Sequence, residues 1–111
     1  MIPREKLDAL AQELHETQEL ISDPAVINDA RHYRDCLRRF KELGEINQAW
    51  KHYQQIETHL AEVKTLLETE SDPEMTALIK DEQLSLEGQL EEAELKLRDL
   101  LIPSDPNDSK N

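Results

Sequence analysis

Four histidines are the residues of this chain best suited to binding a transition metal. None sits in a His-Glu-x-x-His pattern, and none lies three residues after a glutamate, as di-iron helix bundles require. Two of them are seven residues apart on one predicted helix face, so a metal there would need carboxylates from a second helix. We therefore expect His52 and His59, the pair seven residues apart, to be solvated side chains flanking the core, and we expect no metal site and no cofactor from His15, His32, His52 and His59.

Cysteine chemistry is limited to one residue. A single cysteine, Cys36, excludes an internal disulfide. Its neighbours Arg34, Arg38 and Arg39 could lower the thiol pKa and make it reactive. Its place at the edge of an apolar stripe favours the alternative, a buried and inert thiol.

Catalysis has little other support in the sequence. The two glycines, Gly44 and Gly88, are isolated, so no glycine-rich phosphate loop exists. Three Asp-Pro steps begin at Asp23, Asp72 and Asp105, and capping or turn formation explains all three. No nucleophile, base or metal-ligand constellation is evident, so we expect a chain that is not an enzyme and binds no small-molecule substrate.

One group of bases runs against the overall charge. The chain has 25 acidic and 13 basic residues and a net charge of −12, which argues against a general nucleic-acid-binding surface. The group is either a solvated face balanced by its acidic surroundings or a contact surface for phosphates or an acidic protein. We favour the solvated face, yet this group is the best candidate for a directional contact: the basic strip of Arg31, Arg34, Arg38 and Lys41.

Heptad spacing predicts the element that organises the chain. Apolar residues recur every seven residues, with a second series three residues later, which is the pattern of a helix with one continuous apolar face. The breaking segment 70–73 separates two such helices, so we expect an antiparallel, coiled-coil-like hairpin. The core positions are Ile46, Ala49, Tyr53, Ile56, Leu60, Val63 and Leu67, then Ile79, Leu86, Leu90, Ala93, Leu97 and Leu100.

Shorter helices precede the hairpin. Amphipathic spacing predicts a first helix over 4–21, a helical turn over 24–27 and a second helix over 30–43. Gly44 fits the residue after a helix end, with a kink in one longer helix as the alternative. The hairpin helices then span 45–69 and 73–101, the second capped by Asp72 with Ser71 and Glu74 at capping-box spacing. Trp50, beside the seam, is expected in the core rather than as an exposed contact.

Composition agrees with this all-α architecture. Aromatic residues make up 4% of the chain, which suits elongated helices with a narrow seam better than a thick core. We expect one helical domain over 1–103, with the first two helices packed on the hairpin or extending it, and a turn-rich linker over 104–111. The sequence shows no signal peptide and no membrane span, so we expect a soluble protein of the cytoplasm, with an organelle matrix as the alternative.

Three short stretches make the chain resemble a known family. They are LISDPAVIND at 20–29 followed by Tyr33-Arg34, SDPEM at 71–75, and LLIPSDPNDSKN at 100–111. This succession is similar to the N-terminal domain of bacterial-type class I peptide chain release factors, of the release factor 1 type. Ser104 stands where the family usually has lysine.

The resemblance implies a docking role in translation termination. The family's codon-reading tripeptide and Gly-Gly-Gln loop are absent here, so no catalytic residue carries over. The implied partners are the ribosome at the stalk base of the large subunit, the class II release factor GTPase and the methyltransferase that modifies the Gly-Gly-Gln loop. The alternatives are a stand-alone acidic hairpin acting as a scaffold or adaptor, and a tRNA-binding hairpin, which the acidic second helix disfavours.

Overall fold

A computed structural model describes residues 2–102 of the chain. It contains four helices: α1 (Arg4–Leu20), α2 (Pro24–Ile27), α3 (Ala30–Thr69) and α4 (Pro73–Leu101). No strand occurs among the described residues. The molecule measures 64 × 37 × 20 Å, so the all-α, elongated hairpin predicted from the sequence is confirmed.

An aspartate is the N-cap residue of three of the four helices. Each carboxylate accepts a hydrogen bond from a backbone N–H of the first turn, satisfying a donor that has no partner inside the helix. Asp23 accepts from Ala25 at 3.0 Å, and Asp72 accepts from Glu74 at 3.1 Å. Asp29 caps α3 in the same way, accepting from the backbone N–H of His32 at 3.2 Å.

The two Asp-Pro steps within the described residues are therefore helix starts, as expected. Asp72 rather than Ser71 is the N-cap of α4, so the capping box suggested by the spacing of Ser71 and Glu74 does not form. The third step, at Asp105, lies outside the described residues, as do the predicted helix stop at Pro103 and the linker over 104–111.

The predicted helix end at Gly44 is wrong. The helices expected over 30–43 and 45–69 are one continuous helix, α3, of 40 residues. Gly44 does not adopt a positive φ, so it provides no left-handed helix cap. The apolar side chains before and after it, Leu43 and Ile46, are both buried, so packing on one side holds the helix together through the glycine.

Most heptad positions of α3 and α4 are buried and form the core, and the remaining heptad positions are partly buried. Leu67, Leu90 and Leu100 pack against the core without being fully covered. Side chains of the two helices also meet outside the core, where His59 Nε2 lies 3.2 Å from Glu82 Oε1. The buried core positions are Ile46, Ala49, Tyr53, Ile56, Leu60, Val63, Ile79, Leu86, Ala93 and Leu97.

Helix α1 lies antiparallel along α3, because Arg4 contacts Glu57 while Glu13, farther along α1, contacts Arg39. Its Leu7 side chain is 1% exposed and joins the core. Leu7, Leu43 and Leu97 are the most completely buried side chains of the described chain, and Leu7 and Leu97 belong to the same core cluster where α1 covers the hairpin. We call this region, where α1, α3 and α4 meet, the crossing.

Candidate functional site

The basic strip lies on the first turns of α3, outside the crossing. All four of its side chains, Arg31, Arg34, Arg38 and Lys41, are exposed. The end of α4 borders the same surface groove as Arg39 and Glu42 of α3, so it is level with the C-terminal part of the strip, and the strip begins farther out along α3, at Arg31. Its spacing of three, four and three residues keeps the four bases on one side of the helix.

The charges of the basic strip are not neutralised by ion pairs inside the described chain. No residue between 2 and 102 forms a salt bridge with any of the four. Residues 31–42 contain five bases and two acids, Asp35 and Glu42. The strip is therefore a local positive surface on a strongly negative protein, suited to phosphate groups.

A different arginine ties this part of α3 to α1. Arg39 donates two hydrogen bonds to the Glu13 carboxylate, Nε at 2.7 Å and Nη2 at 2.9 Å. These hydrogen bonds lower the pKa of Glu13 and raise that of Arg39. Two parallel bonds between planar groups fix direction as well as distance, so the pair sets how α1 lies against the helix that carries the strip.

Helix α2 supports the same end of α3. Val26 of α2 is buried, and α2 packs against α3. Cys36 is buried on α3 with an exposed fraction of 8%, which confirms the expectation of a buried thiol. The strip therefore sits on a helix whose opposite face is covered by its own chain.

Trp50 belongs to the core, as predicted. Its side chain is 4% exposed and stacks on Tyr53, with ring centroids 5.8 Å apart. The Arg4 guanidinium lies 5.5 Å from the Trp50 ring centroid and also pairs with Glu57. Burial raises the pKa of Tyr53, followed in effect by the Glu57 charge.

The contacts of Arg4, Glu13 and Arg39 were not predicted from the sequence. Each joins helices that are far apart in the chain, and helical periodicity carries no information about such pairs. The strip bases, the heptad core and the helix caps could be predicted, because each depends on residues that are close together in the sequence.

The histidines are not assembled into a metal site. His15 and Glu19 pair within α1 at 3.3 Å, and His59 pairs with Glu82 across the hairpin. Among residues 2–102, no group of three or more histidine, cysteine, aspartate or glutamate side chains could hold a metal ion. Within the same part of the chain, no helix is long and apolar enough to span a membrane.

Comparison with known proteins identifies the family. The model of the PCRF domain matches residues 10–111, which is most of the chain. The chain belongs to the PCRF domain family. The resemblance that the three short stretches indicated is thereby confirmed, as is the assignment to release-factor-type helical domains.

Relatives of this PCRF domain carry the name Peptide chain release factor 1. The protein from Geobacillus sp. (strain WCH70) is 39% identical over 107 residues, which is 96% of this chain and 30% of the relative. The protein from Lysinibacillus sphaericus (strain C3-41) is 35% identical over the same share of both chains. The protein from Bacteroides fragilis (strain ATCC 25285) is 38% identical over 96% of this chain and 29% of the relative.

The chain thus spans about a third of the length of the relatives it matches. No solved structure matches it. The relatives' names describe whole proteins, whereas the matched part is the helical domain alone.

Proposed function

We propose that this chain is the docking domain of a translation termination factor and is not itself catalytic. The observation that carries the proposal is the alignment over 96% of the chain with proteins named Peptide chain release factor 1. A family shared over nearly the whole chain makes a related role the simplest account, although fold alone does not fix function. The release reaction itself would belong to other parts of a complete factor.

The geometry supports a docking role through its shape and charge. A helix of 40 residues crossed by a second helix and paired with a third makes a rigid, elongated body. Such a body can place one end far from the other, as a positioning arm does. The basic strip occupies one end, where rRNA phosphates would meet exposed arginines that have no ion-pair partner in the described chain.

The proposed main partner is the ribosome, at the stalk base of the large subunit. The acidic hairpin suits basic ribosomal proteins, because opposite potentials steer and orient association. The class II release factor GTPase and the release-factor methyltransferase are further proposed partners. Action on the ribosome would place the protein in the cytoplasm.

The proposal that this domain is not catalytic is argued from the residues it contains. Its two glycines, Gly44 and Gly88, are far apart, so the chain cannot contain a Gly-Gly-Gln loop. The titratable side chains that do pair within the described residues are ion pairs between helices or along one helix. Such pairs hold the helices in position, which is a structural role.

The second candidate is a stand-alone acidic hairpin that acts as a scaffold or adaptor. The heptad core favours it as much as it favours a release-factor domain, since both need a long hairpin. Sequencing the source gene beyond the codon for Asn111 separates the two. An open frame that later encodes Gly-Gly-Gln supports the release-factor proposal, and a stop codon directly after Asn111 contradicts it in favour of the adaptor.

A further inference from the structure

The outer face of α4 carries large apolar side chains that nothing in the described chain covers. Leu84, Leu95 and Ile102 are 68%, 53% and 66% exposed. Leu95 and Ile102 follow Leu84 by 11 and 18 residues. At 3.6 residues per turn, the three side chains therefore point within about 20° of one direction. That direction is opposite to the buried series of Ile79, Leu86, Ala93 and Leu97.

Gly88 lies on this same face, and nothing in the described part of the chain requires a glycine at this position. It is exposed in the middle of α4, where glycine destabilises a helix by about 1 kcal/mol relative to alanine. Its φ is not positive, and a Cβ added to it would meet nothing within 4 Å. Neither backbone conformation nor internal packing therefore requires glycine, whereas close approach of an outside backbone would.

Acidic residues border the apolar side chains along both edges of the face. Two bases lie along one edge of the face: Arg98, which is paired with Glu94 at 3.0 Å, and Lys80, which is exposed one turn before Leu84, so the acids outnumber the bases. A second copy placed antiparallel on this face would set acids against acids, on top of a net charge of −12 for each chain. Asp81, Glu92 and Asp99 lie along one edge and Glu87 along the other, and Glu91 lies on the face itself, between Leu84 and Leu95.

We infer that the outer face of α4 is a docking surface for a basic amphipathic helix of another protein. Leu84 and Leu95 cover the apolar side of that helix, Gly88 lets its backbone approach, and the flanking acids pair with its lysines or arginines. The surface is separate from the basic strip. The inference therefore holds whether or not the strip contacts the ribosome.

The test uses a fluorescein-labelled peptide of about 18 residues, five helical turns, made of Leu, Lys and Ala in amphipathic order. Its control has the same composition in an order that spreads the leucines around the helix. Because the two peptides carry equal charge, any difference in Kd reports the apolar face. We expect the intact chain to bind the amphipathic peptide about tenfold more tightly than the control, by fluorescence anisotropy.

Two matched double variants locate the surface. Leu84→Gln with Leu95→Gln should erase the preference for the amphipathic peptide. Leu66→Gln with Leu78→Gln removes the same number of exposed leucines near the turn of the hairpin and should keep it. A preference that survives the first pair, or disappears with the second, would overturn the inference.

Gly88→Ala separates docking from helix stability. It should raise the Tm, since alanine favours the helix and its Cβ has free space. It should nevertheless weaken amphipathic-peptide binding several-fold. Unchanged binding overturns the role of Gly88, and a concentration-dependent dimer that Leu84→Gln with Leu95→Gln abolishes in sedimentation velocity would mean that a second copy covers the face instead.

Discussion

The crossing and the tip of the hairpin, where residues 70–72 join α3 to α4, are built from the same heptad pattern. They differ in how completely their apolar side chains are covered. At the crossing α1 packs on the hairpin as a third helix, and Leu7 and Leu97 lose essentially all their exposure. At the tip only α3 and α4 are present, and Leu66, Met75 and Leu78 remain largely exposed. A two-helix seam can bury its central positions, whereas burying the flanking positions requires a third helix.

This difference implies that most of the folding stability resides at the crossing. Apolar burial contributes in proportion to the area removed from water, and that area is largest where three helices meet. The tip, with fewer buried side chains, should open locally at a lower free energy than the crossing. The basic strip is placed by α1 and α2, so it depends on the crossing end of the molecule rather than on the tip.

The largest expected effect comes from truncating a leucine at the crossing. Leu97→Ala should lower the free energy of unfolding by about 3 kcal/mol, because it leaves a cavity where the side chain is 0% exposed. Leu78→Ala, in the same helix at the tip, should change it by less than about 0.5 kcal/mol. Urea denaturation followed by circular dichroism measures both, and equal losses would contradict the comparison.

An intermediate effect of opposite sign is expected at the glycine in α3. Gly44→Ala should stabilise the protein by about 0.5–1 kcal/mol, because the residue is inside a continuous helix and a Cβ there meets nothing within 4 Å. The Tm from a thermal melt reports the change. A lower Tm would mean that Gly44 breaks or bends the helix, as the sequence first indicated.

The smallest effect should come from the ion pair between α1 and α3. Glu13→Gln should destabilise the chain by about 0.5 kcal/mol near neutral pH, since both partners are partly exposed. Arg39 lowers the pKa of Glu13, so the pair's contribution is present above the ordinary glutamate pKa and lost as pH falls through the lowered value.

The pH dependence supplies the check on that pair. Denaturation of the wild type and of Glu13→Gln should give different midpoints at neutral pH and converging midpoints at strongly acidic pH. Glu16→Gln, an exposed acid of the same helix whose carboxylate pairs with no base in the described chain, is the matched control. A difference that persisted after Glu13 is protonated would show that the Glu13 charge is not its source.

Sequence predicted the features that repeat or act locally. The heptads gave the buried face of the hairpin, the aspartates gave the helix starts, and Trp50 was correctly placed in the core. The helix end predicted at Gly44 was wrong because glycine after an amphipathic run is a common helix end, while the burial of Leu43 and Ile46 on either side of it depends on tertiary packing. The Arg4 and Arg39 contacts had no local signal at all.

The candidate site was predictable only in part for the same reason. The spacing of the four bases placed them on one side of a helix, which is a local property. Their position on the same helix as the hairpin core follows from the uninterrupted helix through Gly44. The sequence does not single out the apolar outer face of α4, because a spacing of 11 and 7 residues is a weaker signal than the heptad series of the core.

The measurement that tests the central claim most directly is ribosome binding by two charge-reversed variants of equal net charge. One reverses the strip (Arg31→Glu, Arg34→Glu, Arg38→Glu, Lys41→Glu), and the other reverses four exposed lysines elsewhere (Lys51→Glu, Lys64→Glu, Lys80→Glu, Lys96→Glu). If the strip contacts rRNA phosphates, its reversal should weaken binding to purified ribosomes at physiological salt by more than about tenfold, and the control should bind close to the wild type. Equal binding by the two variants, or no binding by the wild type, would contradict the account.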